Sequence, residues 1–411
     1  MTGIESGNGR KKGPLCGIRV VEYGVFHAGP GATAILGDLG AEVIKIESGI
    51  GDPERYWTQV GDLDMTGPNG QSTMFEVSNR NKKGIYLDIK TGKGREILHR
   101  LVEKADVFLT NLRKSTKIKL GLDYDTLKKI NPMIIHANVS GYGPDGPMSD
   151  LGAFDPLGLA KSGLMFVTGS ERPALMHIGV LDQATAIAAS HAIITALFVR
   201  EREQHGQEVH TSLFSTGLWL MYPNLMLASL LGVNPVVSGE RSEHSPLRNV
   251  FCCKDGGWII GTHHPESKYW ATFCKAIERE DLIDDPRFCD DECRQANNPE
   301  LVAICDQIFA QKTKDEWMDV FIPYGLMYSA IQMIGEVPND LQALANQYVV
   351  PFKHPLFGDV SVPGYPIKFS ENDAGTRTAA PAIGEHTDEV LKELGLSDNE
   401  IQGLRQEEVV K

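Results

Sequence analysis

The stretch Ile18–Glu47, IRVVEYGVFHAGPGATAILGDLGAEVIKIE, constrains the fold more than any other. An apolar run (18–22) leads through a Gly-rich segment into a helix-like stretch, and a second apolar run (42–47) follows. Gly40 is placed to end the helix before that second run. The alternation continues. GIYLDI (84–89) reads as a third strand, and TGKGREILHRLVEKA (91–105) has Ile97, Leu98, Leu101 and Val102 at helical spacing. DVFLTNL (106–112) is a fourth strand. DYDTLKKIN (123–131) is a short helix with Asp123 as N-cap, and MIIHANVSGYG (133–143) is a fifth strand. Strand–helix alternation of this kind predicts an α/β fold with a doubly wound, Rossmann-like parallel sheet. Ligands on such sheets collect at the C-terminal strand ends, here Tyr23–Gly29, Asn111–Arg113 and Ser140–Gly143.

Further along, ATAIAASHAIITALFVRERE (184–203) reads as a long Ala-rich helix, and QEVHTSLFSTGL as another strand. The texture then changes to that of a smaller α+β unit. The expected organisation is a flexible N-terminal arm (1–15), the first part of a large α/β domain (16–222), a small α+β domain (223–330) and a C-terminal return to the large domain (331–411). A chain of 411 residues has ample surface to bury for this.

The formal charge of −14 argues against a nucleic-acid-binding protein. The longest apolar segment, Leu218–Val233, is short and interrupted by Pro223 and Asn224, so no membrane span is expected. Seven cysteines without a C-x-x-C pair read as free thiols rather than a metal site. The polar, Gly-rich start lacks a secretory pattern. Together these features point to the cytoplasm.

Gly29-Pro30-Gly31-Ala32-Thr33-Ala34 satisfies G-x-G-x-x-A, the pattern of a dinucleotide fingerprint. A true fingerprint places its first glycine directly after the strand. Here Gly24–Ala28 intervene, so the turn is not the tight one that brings backbone against a pyrophosphate. The segment is read instead as a Gly-rich loop open to another phosphate-bearing ligand.

Several long segments carry a resemblance. LCGIRVVEYGVFHAGPGATAILGDLGAEVIKIESGIGDPERYW, NRNKKGIYLDIKTGKGREILHRLVEKADVFLTNLR, KLGLDYDTLKKINPMIIHANVSGYGPDGP, HIGVLDQATAIAASHAIITALFVRE, VPGYPIKFSE and GEHTDEVLKELGL occur in order from Leu15 onward. They resemble the class III coenzyme A transferase family, which includes carnitine-type and formyl-CoA transferases and α-methylacyl-CoA racemase. The resemblance implies an interlocked dimer whose chains each have a split large domain and a small inserted one. It implies a CoA-transferase that moves CoA from an acyl-CoA donor, possibly succinyl-CoA, to a carboxylic acid. CoA thioester is then substrate, with no tightly bound cofactor and no metal. The partners are these small molecules and a second subunit, in a homodimer or a related hetero-oligomer.

By this resemblance Asp182 of GVLDQATA is the nucleophile, passing through an aspartyl anhydride and an aspartyl-CoA thioester. An acid at a helix N-terminus is favoured as the anion by the dipole and free N–H groups, and a carboxylate nucleophile needs that form. Asn111 and Arg113 fall where the family holds CoA. Lys119, Lys83 and Tyr142 are further expected CoA contacts. Phe26 and His27 lie in the loop after the first strand and line the acyl pocket in the family, with Trp57 as another wall; His27 stands where glutamine is common. The family's arginine after Glu47 is Ser48 here, and RSEHSPLRNVFCCKDGG lacks the tetraglycine run of the formyl-CoA branch. The racemase branch needs a histidine before an aspartate, as proton carrier. LGAFDPLG offers Phe154 before Asp155, which favours transferase over racemase. The alternatives are that racemase, or a benzylsuccinate-like transferase subunit in a hetero-oligomer.

Overall fold

The computed structural model describes residues 11–167, 172–176, 179–234 and 240–411. The chain divides into two compact units: Met1–Met165, Leu175–Asn234 and Asn346–Lys411 form one, and Phe166–Ala174 with Pro235–Ala345 the other. The sequence-based boundaries at 222/223 and 330/331 fall short of these. The helix Tyr222–Leu231 belongs with the first unit, and 331–345 with the second.

The first unit is built on six parallel strands: β1 (Arg19–Tyr23), β2 (Glu42–Glu47), β3 (Lys82–Tyr86), β4 (Val107–Thr110), β5 (Ile135–Ser140) and β6 (Gln207–Ser212). Their order is β3-β2-β1-β4-β5-β6, the doubly wound order with its reversal between β1 and β4. Residues such as Val20, Val21, Ile44 and Phe108 are fully buried, as expected for a sheet covered on both faces. The helices are α1 (Ala28–Asp38), α2 (Thr73–Asn79), α3 (Gly92–Glu103), α4 (Lys114–Leu120), α5 (Tyr124–Ile130), α6 (Asp155–Ser162), α7 (Val180–Glu203), α8 (Leu213–Leu220) and α9 (Tyr222–Leu231). Asp123 caps α5 by accepting the Thr126 N–H.

The third strand starts earlier and ends earlier than its apolar run suggests. Lys82 is buried inside β3 as a counter-ion to Glu22. Leu87 and Ile89 are buried beyond the strand, because Asp88 turns to bond Val409. The stretch LFSTG continues as helix rather than strand, since Ser212 and Ser215 form a reciprocal cap. The expected arm is also shorter. Its first ten residues lie outside the described ones, but Leu15 N–H bonds Leu39 O, and a Cβ on Gly13 would sit 2.3 Å from that same oxygen. Only glycine lets the chain pass so close, so residues 11–15 pack onto the body.

Among the described residues one helix, α7, has the length and apolarity to cross a membrane. Its Leu181, Ala186, Ala189 and Ile193 are buried within the protein. The C-terminal helices Thr387–Glu393 and Asp398–Gln406 return to the same core through Val390, Leu391, Ile401 and Leu404. The second unit has a three-stranded antiparallel sheet (Val250–Cys252, Trp258–Gly261, Tyr328–Ile331) around an aromatic core of Phe251, Phe273, Phe309, Trp317 and Phe321.

Candidate active site

The strand-order reversal opens a crevice at the C-terminal ends of β1 and β4, and a cavity of about 1090 Å³ lies there. Its wall from β1 is the loop Val25–His27, and the backbone of that loop is strained. Phe26 sits at φ 58°, a left-handed conformation costly for a bulky residue. Three hydrogen bonds hold it. Val25 N–H donates to Asn111 Oδ1 (3.0 Å), Asn111 Nδ2 donates to Val25 O (2.6 Å), and Phe26 N–H donates to Asp52 Oδ1 (3.1 Å). Asp52 is itself fixed by a buried ion cluster. Lys45 Nζ bonds Asp52 Oδ2 (2.9 Å), Glu22 Oε1 (2.8 Å) and Gly24 O (3.0 Å), while Lys82 bonds Glu22 Oε2 (2.7 Å). Burial alone would push the Glu22 carboxyl up; the two ammonium groups reverse this and hold it at about 2. The loop is thus clamped by charges in the core behind it.

The G-x-G-x-x-A segment forms no phosphate-binding turn. Gly29 and Gly31 lie inside α1. A Cβ on Gly31 would meet Ala186 at 3.1 Å and His27 Cε1 at 3.2 Å. Its lack of a side chain lets α1 lie against α7 with the His27 ring between them, and the dinucleotide reading is excluded by this packing.

Asp182 is the third residue of α7, after Gly179 in the left-handed conformation, and it lines the cavity. The residues His177 and Ile178 that begin its motif lie outside the described ones. The expectation that the helix N-terminus favours its anion is corrected by a neighbour. Asp155 Oδ2 accepts the N–H groups of Leu181 (2.7 Å) and Asp182 (2.9 Å), so Asp155 takes the helix-terminal N–H groups. Burial, and then the Asp155 charge, push the Asp182 carboxyl up to about 7. A carboxylate held this way is poorly solvated and a stronger nucleophile than an exposed one. Its ionised fraction falls tenfold per unit below about pH 7, and a reaction that uses the Asp182 anion would lose kcat/KM by about that factor. Asp155→Asn removes the like charge and is expected to move this acid limb to lower pH. A limb that stays in place in a pH–rate profile would show that Asp182 does not control it.

The sequence pattern of CoA-transferase family III matches residues 15–387. An "Acyl-CoA transferase" of Fusarium pseudograminearum (strain CS3096) is 36% identical over 97% of this chain and 89% of its own. The chain belongs to CoA-transferase family III. The "(R)-2-hydroxy-4-methylpentanoate CoA-transferase" of Clostridioides difficile is 32% identical over 97% of this chain and 99% of its own. The solved structure of a CAIB/BAIF family protein from Brucella suis superposes with a TM-score of 0.83, at 28% identity, covering 94% of this chain and 100% of that one. This is therefore a family III CoA-transferase, which acts on CoA thioesters.

In this family III enzyme the structure brings Phe26, His27, Asn111, Arg113 and Asp182 together around one cavity. Arg113 passes over Gly152, where a Cβ would meet its guanidinium at 2.6 Å. Phe26 packs edge-on against Phe154 (5.0 Å) and Trp57 (6.2 Å), so Trp57 reaches the site through Phe26 rather than by lining it. Lys83 is placed elsewhere: its ammonium pairs with Glu42, Glu389 and Glu393. Lys119 and Tyr142 do not line the cavity either; Lys117 and Lys114, two and five residues before Lys119 on α4, do. Sequence reasoning passed over Gln183 and Ser78, which bond the two ring nitrogens of His27. Gln183 was within reach, being the residue after Asp182; Ser78 gave no signal, since nothing in sequence pairs α2 with α1. In the second unit Cys289, Asp290 and Cys293 place their ligand atoms within 4.8 Å of one another, a proximity that the spacing did not suggest.

Proposed function

We propose that this chain moves CoA from an acyl-CoA donor, with succinyl-CoA a suitable one, to a bulky apolar carboxylic acid, by covalent catalysis at Asp182. A carboxylate oxygen of Asp182 attacks the thioester carbonyl and CoA thiolate leaves, giving a mixed anhydride. The thiolate attacks the aspartyl carbonyl of that anhydride, releasing the donor acid and leaving an aspartyl-CoA thioester. The acceptor carboxylate attacks this thioester and regenerates thiolate and a second anhydride. Thiolate then attacks the acceptor carbonyl, giving the new acyl-CoA and free Asp182. One thioester replaces another, so the exchange needs no external energy source.

The observation that carries this reading is the half-buried Asp182 in a cavity shared with Arg113 and with the aromatic pair Phe26 and Phe154. Arg113 suits a CoA phosphate. The aromatic walls suit a branched or aromatic acid, in keeping with the 4-methylpentanoate in the name of the C. difficile relative. Phe154 stands where a racemase needs its proton carrier, and a phenyl ring cannot exchange a proton.

The helix α9 supports a partner subunit. It has no buried residue, and it exposes Leu225, Leu230 and Leu231. A run of that apolarity on a monomer's surface calls for cover, and an interlocked second copy would supply it. The seven cysteines are all unpaired, which suits the cytoplasm.

The test is mass spectrometry of the intact protein after incubation with a panel of acyl-CoAs, with borohydride or hydroxylamine as trap. A modification that maps to Asp182 is the expected result. Turnover without it, or α-proton exchange in deuterated water at the catalytic rate, would overturn the reading.

A further inference from the structure

His27 is almost fully buried, and both of its ring nitrogens are bonded by the protein. Nδ1 lies 2.8 Å from Ser78 Oγ, and Nε2 lies 2.7 Å from Gln183 Oε1. With the Gln183 carboxamide oxygen assigned to face the ring, that oxygen only accepts, so Nε2 carries the proton toward it. Nδ1 is then a lone-pair acceptor, and the Ser78 hydroxyl donates to it. Ser78 is fully buried on α2, with no solvent to replace it.

We propose that Ser78 is a positioning residue that holds His27 as its Nε2–H tautomer, so that the ring offers a hydrogen-bond donor to the acyl oxygen reacting at Asp182. This rests on the reading of Asp182 as nucleophile. Gln183 is exposed and adjacent to Asp182, so a substrate oxygen can take over as acceptor from its carboxamide at little cost. The donor must stay pointed at the cavity when that exchange happens, and the Ser78 bond on the far side of the ring provides this. A neutral donor already aimed at a developing oxyanion stabilises it without rearrangement.

The surroundings keep the chain of hydrogen bonds running in one direction. Burial, and then the charges of Arg80 and Lys82, hold the imidazole below its usual range and hence neutral. Behind Ser78 lies the carboxyl of Glu54, fully buried, facing Asp52, Lys45 and Lys82. Burial and the Asp52 charge push Glu54 up to about 8. Ser78 also lies within hydrogen-bond reach of this carboxyl; in its protonated form Glu54 can donate to the Ser78 oxygen and leave the hydroxyl proton to His27. An ionised Glu54 would draw that proton, turn the hydroxyl round and favour the Nδ1–H tautomer.

The experiment has two arms. The first labels the full-length protein with ¹⁵N-histidine and reads the His27 tautomer by NMR, with His27→Gln used for assignment. The Nε2–H form is expected in the wild type at pH 7, with a mixture of tautomers in Ser78→Ala. A wild-type ring in the Nδ1–H form would overturn the proposal whether or not Asp182 is the nucleophile. The second arm is a double-mutant cycle on turnover. Ser78→Ala is expected to lower kcat about tenfold, the scale of a weakened oxyanion donor, with the acyl-CoA KM unchanged. In a His27→Gln background, where no tautomer exists to be fixed, the same substitution should have no effect. An equal loss in both backgrounds would make Ser78 merely structural and overturn the proposal.

Discussion

Asp182→Ala is expected to reduce CoA transfer by a thousandfold or more, on the order of what removal of a covalent nucleophile costs other enzymes. The fold should tolerate it. The helix-terminal N–H groups at this point are satisfied by Asp155, not by the Asp182 side chain. Among the described residues, removing this half-buried carboxyl, whose ionisation is opposed by burial and by Asp155, leaves no hydrogen-bond partner stranded. The variant should therefore unfold at or above the wild-type temperature, and it should still bind CoA, because the contacts proposed for CoA, Arg113 and the loop after β1, are untouched. Retention of more than a few per cent of wild-type turnover in a direct acyl-CoA exchange assay would refute nucleophilic catalysis at this residue.

Lys45→Met is expected to destabilise the protein by about 3–5 kcal/mol, the usual cost of breaking a buried ion pair from one side. Lys45 is fully buried, and it neutralises both Glu22 and Asp52. Methionine matches its length but leaves those two carboxylates facing Lys82 alone. The loss should show as a lower urea midpoint with an unchanged slope. It also has a pH signature. Glu22 is held at about 2 in the fold against 4.5 in the unfolded chain. Its contribution is therefore present above pH 4.5 and is lost as the pH falls toward 2. In Lys45→Met that acid-sensitive part should shrink. A midpoint within error of the wild type would mean that the cluster contributes little. A functional consequence follows from Asp52, which anchors Phe26 N–H: turnover should fall along with stability, because one of the three restraints on the strained loop loses its Lys45 support.

Much of the architecture was legible in the residues. Strand–helix alternation and the apolar runs of β1, β2, β4 and β5 determined a parallel doubly wound sheet, since buried strands need continuous apolar sequence. The rule for such sheets pointed to the loops Tyr23–Gly29 and Asn111–Arg113, and residues from both line the cavity. The motif GVLDQATA singled out Asp182, and the fold sets that residue on the cavity wall. Each of these is local, written within a dozen or so consecutive residues.

What the tertiary structure alone decided comes from residues far apart in sequence. Lys83 and Lys119 looked like phosphate ligands, yet a lysine's partner depends on what the fold sets beside it. Lys83 meets three glutamates, two of them from a helix some 300 residues away along the chain. Asp155 comes to the first turn of α7 across 26 residues, and there it inverts the expected effect of the helix terminus on Asp182. Ser78 reaches His27 across 51 residues, and Gln183 reaches it across 156. Sequence periodicity reports which face of an element is buried. The ionisation of a carboxyl and the tautomer of an imidazole depend on individual polar atoms within about 3 Å, and only the folded chain fixes those neighbours.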